Sequence, residues 1–493
     1  MRARATFLAS LTLMGCYALL AQTPVAFEQF FADKALRLDL CQVGDAREEF
    51  ITLQRMHQEP TWPETRTALI DPFNNGRYTV KLYDIATNRL IYARGFDCMF
   101  GEYKTTTPAL QGQKRVFQRS VRVPFPKYPA LFVIEARDKK NIPHVLFSTT
   151  VDPNDYHIIR ESGTTQAEVH EAHVVGAAER CVDFVFIAEG YTLAEREKFA
   201  ADVDRFTGWL FATAPYAEYR DRINVRGLFL PSPESGMDEP RQGSFRRTLL
   251  NASFNAFDLD RYMLTEENWL LRSLAAQVSY EAIVVLVNSA RYGGGGIYND
   301  YCITTVDNPA SKRVFLHELG HSFAGLADEY YASEVSYNEF YPAGVEPLEP
   351  NITAFLSPEL LKWKELVSPG IALPTVWGKE RLDSLQAERQ KTLKAMTQEL
   401  QKAAQAGARP DTQDKIRARY QKELKHLDRE MENVRAQYAH LRDKVGVFEG
   451  AGYASKGLYR PMMYCLMISS PEDKFCVVCE RAIARMIGYY CGD

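Results

Sequence analysis

Two histidines four residues apart, with a glutamate beside the first, constrain this chain more than any other feature. The stretch is His317-Glu318-Leu319-Gly320-His321. It makes chemical sense on an α-helix, where residues i and i+4 stand one above the other and both imidazoles reach one metal ion. The Glu318 carboxylate then lies alongside and can take a proton from an attacking water. The flanks fit a helix. Ser311 suits an N-cap, Val314, Leu316, Phe323 and Leu326 supply apolar positions, and Gly325 offers a stop or a sharp turn. The chain has only nine histidines in 493 residues, so the spacing is not a by-product of a histidine-rich composition. The bland alternative is a surface helix with two incidental histidines.

A catalytic zinc takes three protein ligands and keeps one position open. The metzincin pattern places a glycine seven residues, and a third histidine ten residues, after the first histidine. Here those positions are Ala324 and Ala327. The glycine comes one residue later, as Gly325, and Asp328 follows it by three, so the glycine-to-ligand spacing is kept with a carboxylate as ligand. Asp328 is favoured as third ligand because it returns to nearly the same helical face if the helix runs on. Glu329 is its rival.

The whole run from His317 to Tyr330 resembles the bacterial IgA-peptidase family of zinc metallopeptidases, whose catalytic domain is metzincin-like. Phe186-Ile187-Ala188-Glu189-Gly190-Tyr191-Thr192, Ser232-Pro233-Glu234-Ser235-Gly236 and Tyr292-Gly293-Gly294-Gly295-Gly296 are similar to further blocks of that family. So are Phe448-Glu449-Gly450-Ala451-Gly452-Tyr453, Gly457-Leu458-Tyr459-Arg460-Pro461 and Cys465-Leu466-Met467. The similarity reaches the N-terminal region around Leu36-Arg37-Leu38-Asp39 and Ile91-Tyr92-Ala93-Arg94-Gly95-Phe96. The resemblance implies a zinc endopeptidase with one catalytic Zn2+, acting on extracellular or host proteins, immunoglobulin-like ones among them. It implies metal ligation by His317, His321 and Asp328, with Glu318 as general base. It also implies a Met-turn at Met467 beneath the metal, with Met462 and Met463 as rivals. Gly293, Gly294, Gly295 and Gly296 would let a substrate backbone approach a cleft-edge strand, or else form a turn without a role. Tyr459, or Tyr464, would donate a hydrogen bond to the oxyanion. A zinc amidase or exopeptidase, and a non-catalytic surface protein binding glycan or host protein, are the competing functions.

The N-terminus has the form of an export signal. Arg2 and Arg4 precede an apolar stretch from Ala5 to Ala21, giving a signal peptide over 1–21 and a secreted, periplasmic or surface location on a bacterial cell. Leu13-Met14-Gly15-Cys16 also resembles a lipobox, so Cys16 is a candidate lipid anchor. No other run is long and apolar enough to span a bilayer. The formal net charge of −4 gives no electrostatic case for nucleic acid, which leaves protein or peptide as the expected partner.

The expected fold is multi-domain α+β. Residues 22–162 alternate as strands, for example Thr79 to Ile85 and Ser120 to Phe125, and read as an N-terminal β-sandwich. Glu161 to Thr165 reads as a linker, and 166–493 as a metzincin-like α/β zinc peptidase domain. Within it, Ile416, Tyr420, Leu424, Leu427, Met431, Val434, Tyr438, Leu441 and Val445 recur by fours and threes. With Leu382, Leu385, Leu393, Met396 and Leu400 upstream, they predict an inserted antiparallel coiled-coil hairpin over 378–444, self-contained and carrying its own core. Removing Cys16 with the leader leaves eight cysteines. Export favours disulfides, so Cys41 and Cys98, alone in the N-terminal module, are a candidate pair, and Cys465, Cys476, Cys479 and Cys491 are expected to form a disulfide cluster whose connectivity the sequence leaves open. A metal knuckle or a redox pair at Cys476 and Cys479 is the alternative.

Overall fold

The computed structural model describes residues 24–160, 166–331, 340–407, 409–468 and 473–492. The expected signal peptide with Cys16, and the expected linker at 161–165, lie outside the described residues. The chain is mixed α+β.

The N-terminal part contains eight strands: β1 (Phe31–Gly44), β2 (Glu49–Glu59), β3 (Tyr78–Asp84), β4 (Arg89–Phe96), β5 (Arg115–Pro126), β6 (Ala130–Arg137), β7 (Pro143–Val151) and β8 (Ile158–Ile159). They form two four-stranded sheets, ordered β5-β1-β2-β8 and β4-β3-β6-β7. In β3 every second residue is buried, so Tyr78, Val80 and Leu82 face inward. They share one core with Leu36, Leu38 and Leu40 of the other sheet.

The C-terminal part is built on a six-stranded sheet: β9 (Glu168–His173), β10 (Val182–Glu189), β11 (Ile223–Phe229), β14 (Ala282–Val287), β15 (Gly294–Ile297) and β16 (Tyr301–Thr305). A two-strand ribbon, β12 (Ser253–Phe254) and β13 (Met263–Leu264), lies between them in sequence. The order is β15-β16-β14-β10-β11-β9, with the four central strands parallel and the two edges antiparallel. Every residue of β10 is buried, which explains the apolar run Phe184 to Ala188, since both faces of a parallel sheet are covered.

Helices α1 (Arg196–Phe211), α3 (Ser311–Ala324) and α6 (Val477–Cys491) cover one face, packing on Phe184, Phe186, Val225 and Leu286. The other face, with Val185, Ile187, Ile283 and Val285, continues directly into the N-terminal core. Helix α2 (Asn268–Ala275) joins the two parts. Trp269 Nε1 donates to the Leu40 carbonyl at 3.2 Å, Asn268 Oδ1 accepts from Ser120 N at 2.9 Å, and Asp300 pairs with Arg119 at 2.5 Å and Arg272 at 2.9 Å.

The insertion forms two long helices, α4 (Lys379–Gln405) and α5 (Pro410–Gln437). The cross-pairs Arg381–Glu430, Arg389–Asp428, Thr392–Glu423 and Glu399–Arg419 fall in one helix as they rise in the other, so the helices are antiparallel. At 27 residues, α4 is about 40 Å long. Leu385, Leu427, Met431 and Val434 form a small core of their own. The base is not self-contained. Trp377 and Leu441 pack with Phe448 and Met463 of the main body, and Asp383 Oδ1 accepts from the Tyr331 hydroxyl at 2.6 Å.

Two cysteine expectations are corrected. All eight described cysteines are free thiols. Cys41 and Gln42 point to opposite faces of β1, and Cys98 lies on the Gln42 side, where its thiol donates to Gln42 Oε1 at 3.2 Å. Cys465 Sγ and Cys479 Sγ are 3.7 Å apart, well beyond the ~2.05 Å of a disulfide.

Candidate metal centre

Helix α3 begins at Ser311 with Ala310 in the cap position; the Ser311 hydroxyl turns back to accept from Asn308 N at 3.2 Å. It ends at Gly325, which takes the left-handed conformation (φ 61°). Gly325 N donates to the His321 carbonyl at 3.0 Å and Leu326 N to the Gly320 carbonyl at 3.1 Å, a Schellman-type close. Asp328 therefore reaches the histidines by this turn and not by continuing the helix.

The turn brings three donor atoms together. His317 Nε2 and His321 Nε2 are 3.1 Å apart, and Asp328 Oδ1 lies 3.0 Å from the first and 3.4 Å from the second. A tetrahedral zinc with bonds of about 2.0–2.1 Å needs ligand–ligand edges of about 3.3 Å, so the triangle fits. The rings are oriented from behind. His317 Nδ1 faces the Leu466 carbonyl at 3.1 Å and His321 Nδ1 the Leu326 carbonyl at 2.5 Å, which leaves both Nε2 atoms to a metal. Asp328 Oδ2 accepts from the Tyr453 hydroxyl, while buried Oδ1 has no hydrogen-bond partner. An orphaned carboxylate oxygen aimed at two imidazole nitrogens is a strong demand for a cation. Burial alone would lower the His321 pKa, but the charge of Asp328 overrides it and holds the ring up to about 9. Burial raises the Glu318 carboxyl, an effect partly offset by the two imidazoles.

Glu329 points elsewhere. Its Oε1 accepts from Asn351 Nδ2 at 2.9 Å and lies 3.1 Å from Cys479 Sγ. Met467 is fully buried beneath α3. A Cβ at Gly320 would sit 3.0 Å from its sulfur, and its carbonyl accepts from Glu329 N at 2.9 Å. Met463 packs instead at the base of the hairpin.

The four glycines have a packing role that the sequence did not disclose. A Cβ on Gly296 would sit 2.3 Å from the Glu318 carbonyl oxygen, and one on Gly294 2.4 Å from Val314. A Cβ on Gly293 would meet Phe254 at 2.4 Å, and one on Gly295 the Met263 carbonyl at 2.6 Å. β15 is thus pressed between α3 and the 261–263 segment, and the outward amide of Gly294 is directed at the Arg261 carbonyl, 3.4 Å away.

The ligands open into a cavity of about 140 Å³ walled by both parts of the chain: Arg77, Asp97 and Glu102 from the N-terminal part, and Glu318, Gly294, Gly296, Arg261, Tyr330 and Tyr453 from the C-terminal part. Tyr459 does not line it; its backbone pairs with Thr353 and its ring packs on Phe355. Tyr330, Tyr453 and Arg261 stand there instead, with Tyr330 hydrogen-bonded to Arg261. The sequence carried a usable signal for two of them. Tyr330 closes the run that starts at His317, and Tyr453 ends the glycine-rich block whose Gly452 N and Tyr453 N donate to the carbonyls of Asp328 and Tyr330 at 2.9 and 3.0 Å.

Among the described residues no helix is long and apolar enough to cross a membrane. The family model for IgA Peptidase M64 matches residues 172–487, and that for the Peptidase M64 N-terminus matches residues 26–148. A search of the curated proteins finds no match.

Proposed function

The chain belongs to the IgA peptidase M64 family, and from that premise we propose that it is an exported, zinc-dependent endopeptidase with a metzincin-like catalytic domain. The observation that carries this reading is the triangle of His317 Nε2, His321 Nε2 and Asp328 Oδ1, whose Oδ1 corner is buried without a hydrogen-bond partner, with Glu318 on the same helix beside His317. Zinc held there would supply a Lewis acid for a peptide carbonyl and for the attacking water. Glu318, whose proton affinity is raised by burial, takes a proton from that water and passes it to the leaving amine. Tyr330, held by Arg261 in the cavity wall, donates to the oxyanion, the role expected of Tyr459. Tyr453 is committed to Asp328 and keeps that carboxylate turned toward the histidines. The N-terminal part acts as a wall of the cleft and positions substrate through Arg77 and Glu102. Its substrates are extracellular or host proteins, with immunoglobulin-like chains the first class to test.

Cleavage-site mapping on an extracellular protein mixture tests this reading. New internal N-termini should appear, should be lost with a chelator, and should be absent with Glu318→Gln. End-blocked peptides should be cut as well as free ones. Release of terminal residues only, or cleavage indifferent to chelation, would contradict it.

A further inference from the structure

A second group of donors lies behind the first. Glu329, Cys465, Cys476 and Cys479 are all buried, and one ligand atom from each falls within 4.8 Å of the others. Cys465 Sγ and Cys479 Sγ are 3.7 Å apart, Cys479 Sγ is 3.1 Å from Glu329 Oε1, and Cys476 Sγ is 4.0 Å from the same oxygen. Zinc–sulfur bonds of about 2.3 Å at tetrahedral angles give sulfur–sulfur edges of about 3.8 Å, so the set has the size of a zinc site. Glu329 Oε2 is buried without a hydrogen-bond partner. Arg460, the cation whose charge reaches Glu329, instead donates to the Gly450 and Met462 carbonyls and lies over the Trp377 ring at 4.6 Å.

We propose that Cys465, Cys476, Cys479 and Glu329 bind a second, structural zinc ion. The arrangement explains what a disulfide cannot. Joining Cys465 to Cys479 would strand the Cys476 thiol and the Glu329 carboxyl in the core, each without a partner of opposite charge. Cys476 occupies the N-cap of α6 and Cys479 the third position of the helix, the two-residue spacing of a metal knuckle, and the amides of Val478 and Cys479 point at the Cys476 sulfur. Four protein donors leave no open position, which marks a site that holds structure and does not turn over substrate. Thiolate-rich tetrahedral sites select zinc over calcium or magnesium.

The placement gives the ion a purpose. Asp328 serves the first centre and its neighbour Glu329 the second. Cys465 serves the second, while the next residue's carbonyl, Leu466 O, orients His317. A metal at the second site would anchor both chain segments that shape the first. This inference does not rest on catalysis: an inactive protein carrying both ions would satisfy it.

The test is zinc content of the full chain, with sulfur ligation read by zinc-edge X-ray absorption. Wild type should carry two zinc ions. The double variant His317→Ala/His321→Ala should keep one, bound through sulfur at about 2.3 Å. Cys476→Ser/Cys479→Ser should lose the sulfur signal; if that variant fails to fold, the histidine variant alone decides. Absence of zinc from the histidine variant, zinc without sulfur neighbours, or a native disulfide among these cysteines on non-reducing alkylation would each overturn the proposal.

Discussion

Helix α3 and the hairpin of α4 and α5 obey the same helical period but differ in what surrounds them. Of its 14 residues α3 buries nine; its His317 is oriented by the Leu466 carbonyl, 149 residues away, and its His321 by the Leu326 carbonyl in the turn that closes the helix. The two hairpin helices, of 27 and 28 residues, bury three each. One helix is determined by the rest of the molecule and the other mainly by its partner. The difference teaches where sequence change is expensive: contacts behind His317 and His321 bear on how the two imidazoles are held, and most of the hairpin packs only on itself.

The largest expected effect is at Asp328. Asp328→Ala removes the carboxylate that reaches both imidazoles, so the nitrogen-bound zinc and all hydrolysis should be lost while sulfur-bound zinc remains. Retention of nitrogen-bound zinc would break the comparison at its strongest point. Glu318→Gln should keep the metal and cut turnover by roughly 100-fold or more. Tyr453→Phe removes the hydroxyl that holds Asp328 and should weaken zinc affinity by roughly 10-fold, measured by competition with a chelator.

Asp97, in the cavity wall, is pushed up by burial to about 6. The folded chain then binds its proton more tightly than the unfolded chain. Stability should fall as pH rises from about 4 to about 6, and Asp97→Asn should flatten that slope in denaturant titrations across the window. The smallest effect belongs to the hairpin tip. Replacing residues 390–422 with a short glycine linker spares the base at Leu385, Leu427 and Asp383, and should leave zinc content and small-peptide cleavage unchanged. Loss of zinc on that truncation would place the tip within the support of the metal. Removing the whole 378–444 segment is a harsher change, because Asp383 holds Tyr331, three residues from Asp328.

Local order was readable from the sequence. The spacing of His317 and His321, the stop at Gly325 and the seam through Leu427, Met431 and Val434 are each properties of one segment. Convergence was not. Nothing local says that Glu329 turns away toward Cys479 while Asp328 turns toward the histidines, because one αL glycine and the Gly452–Tyr453 turn decide both. The cysteines misled for a related reason. An even count in an exported chain favours disulfides, but pairing depends on which face of β1 Cys41 takes and on what shares the pocket of Cys479. The four glycines read as a place for a substrate backbone or as a turn without a role, and the pressure of α3, Phe254 and Met263 against β15 adds a packing requirement that no local pattern shows.

The central claim is that His317, His321 and Asp328 form one metal site with Glu318 at its open side. A crystal structure of the zinc-loaded chain, with anomalous data at the zinc edge, tests it most directly. The account predicts a peak bonded to His317 Nε2, His321 Nε2 and an Asp328 oxygen at about 2.0–2.2 Å, with the fourth position facing Glu318. A zinc bonded to Glu329 in place of Asp328, or no peak between the two histidines, would contradict it.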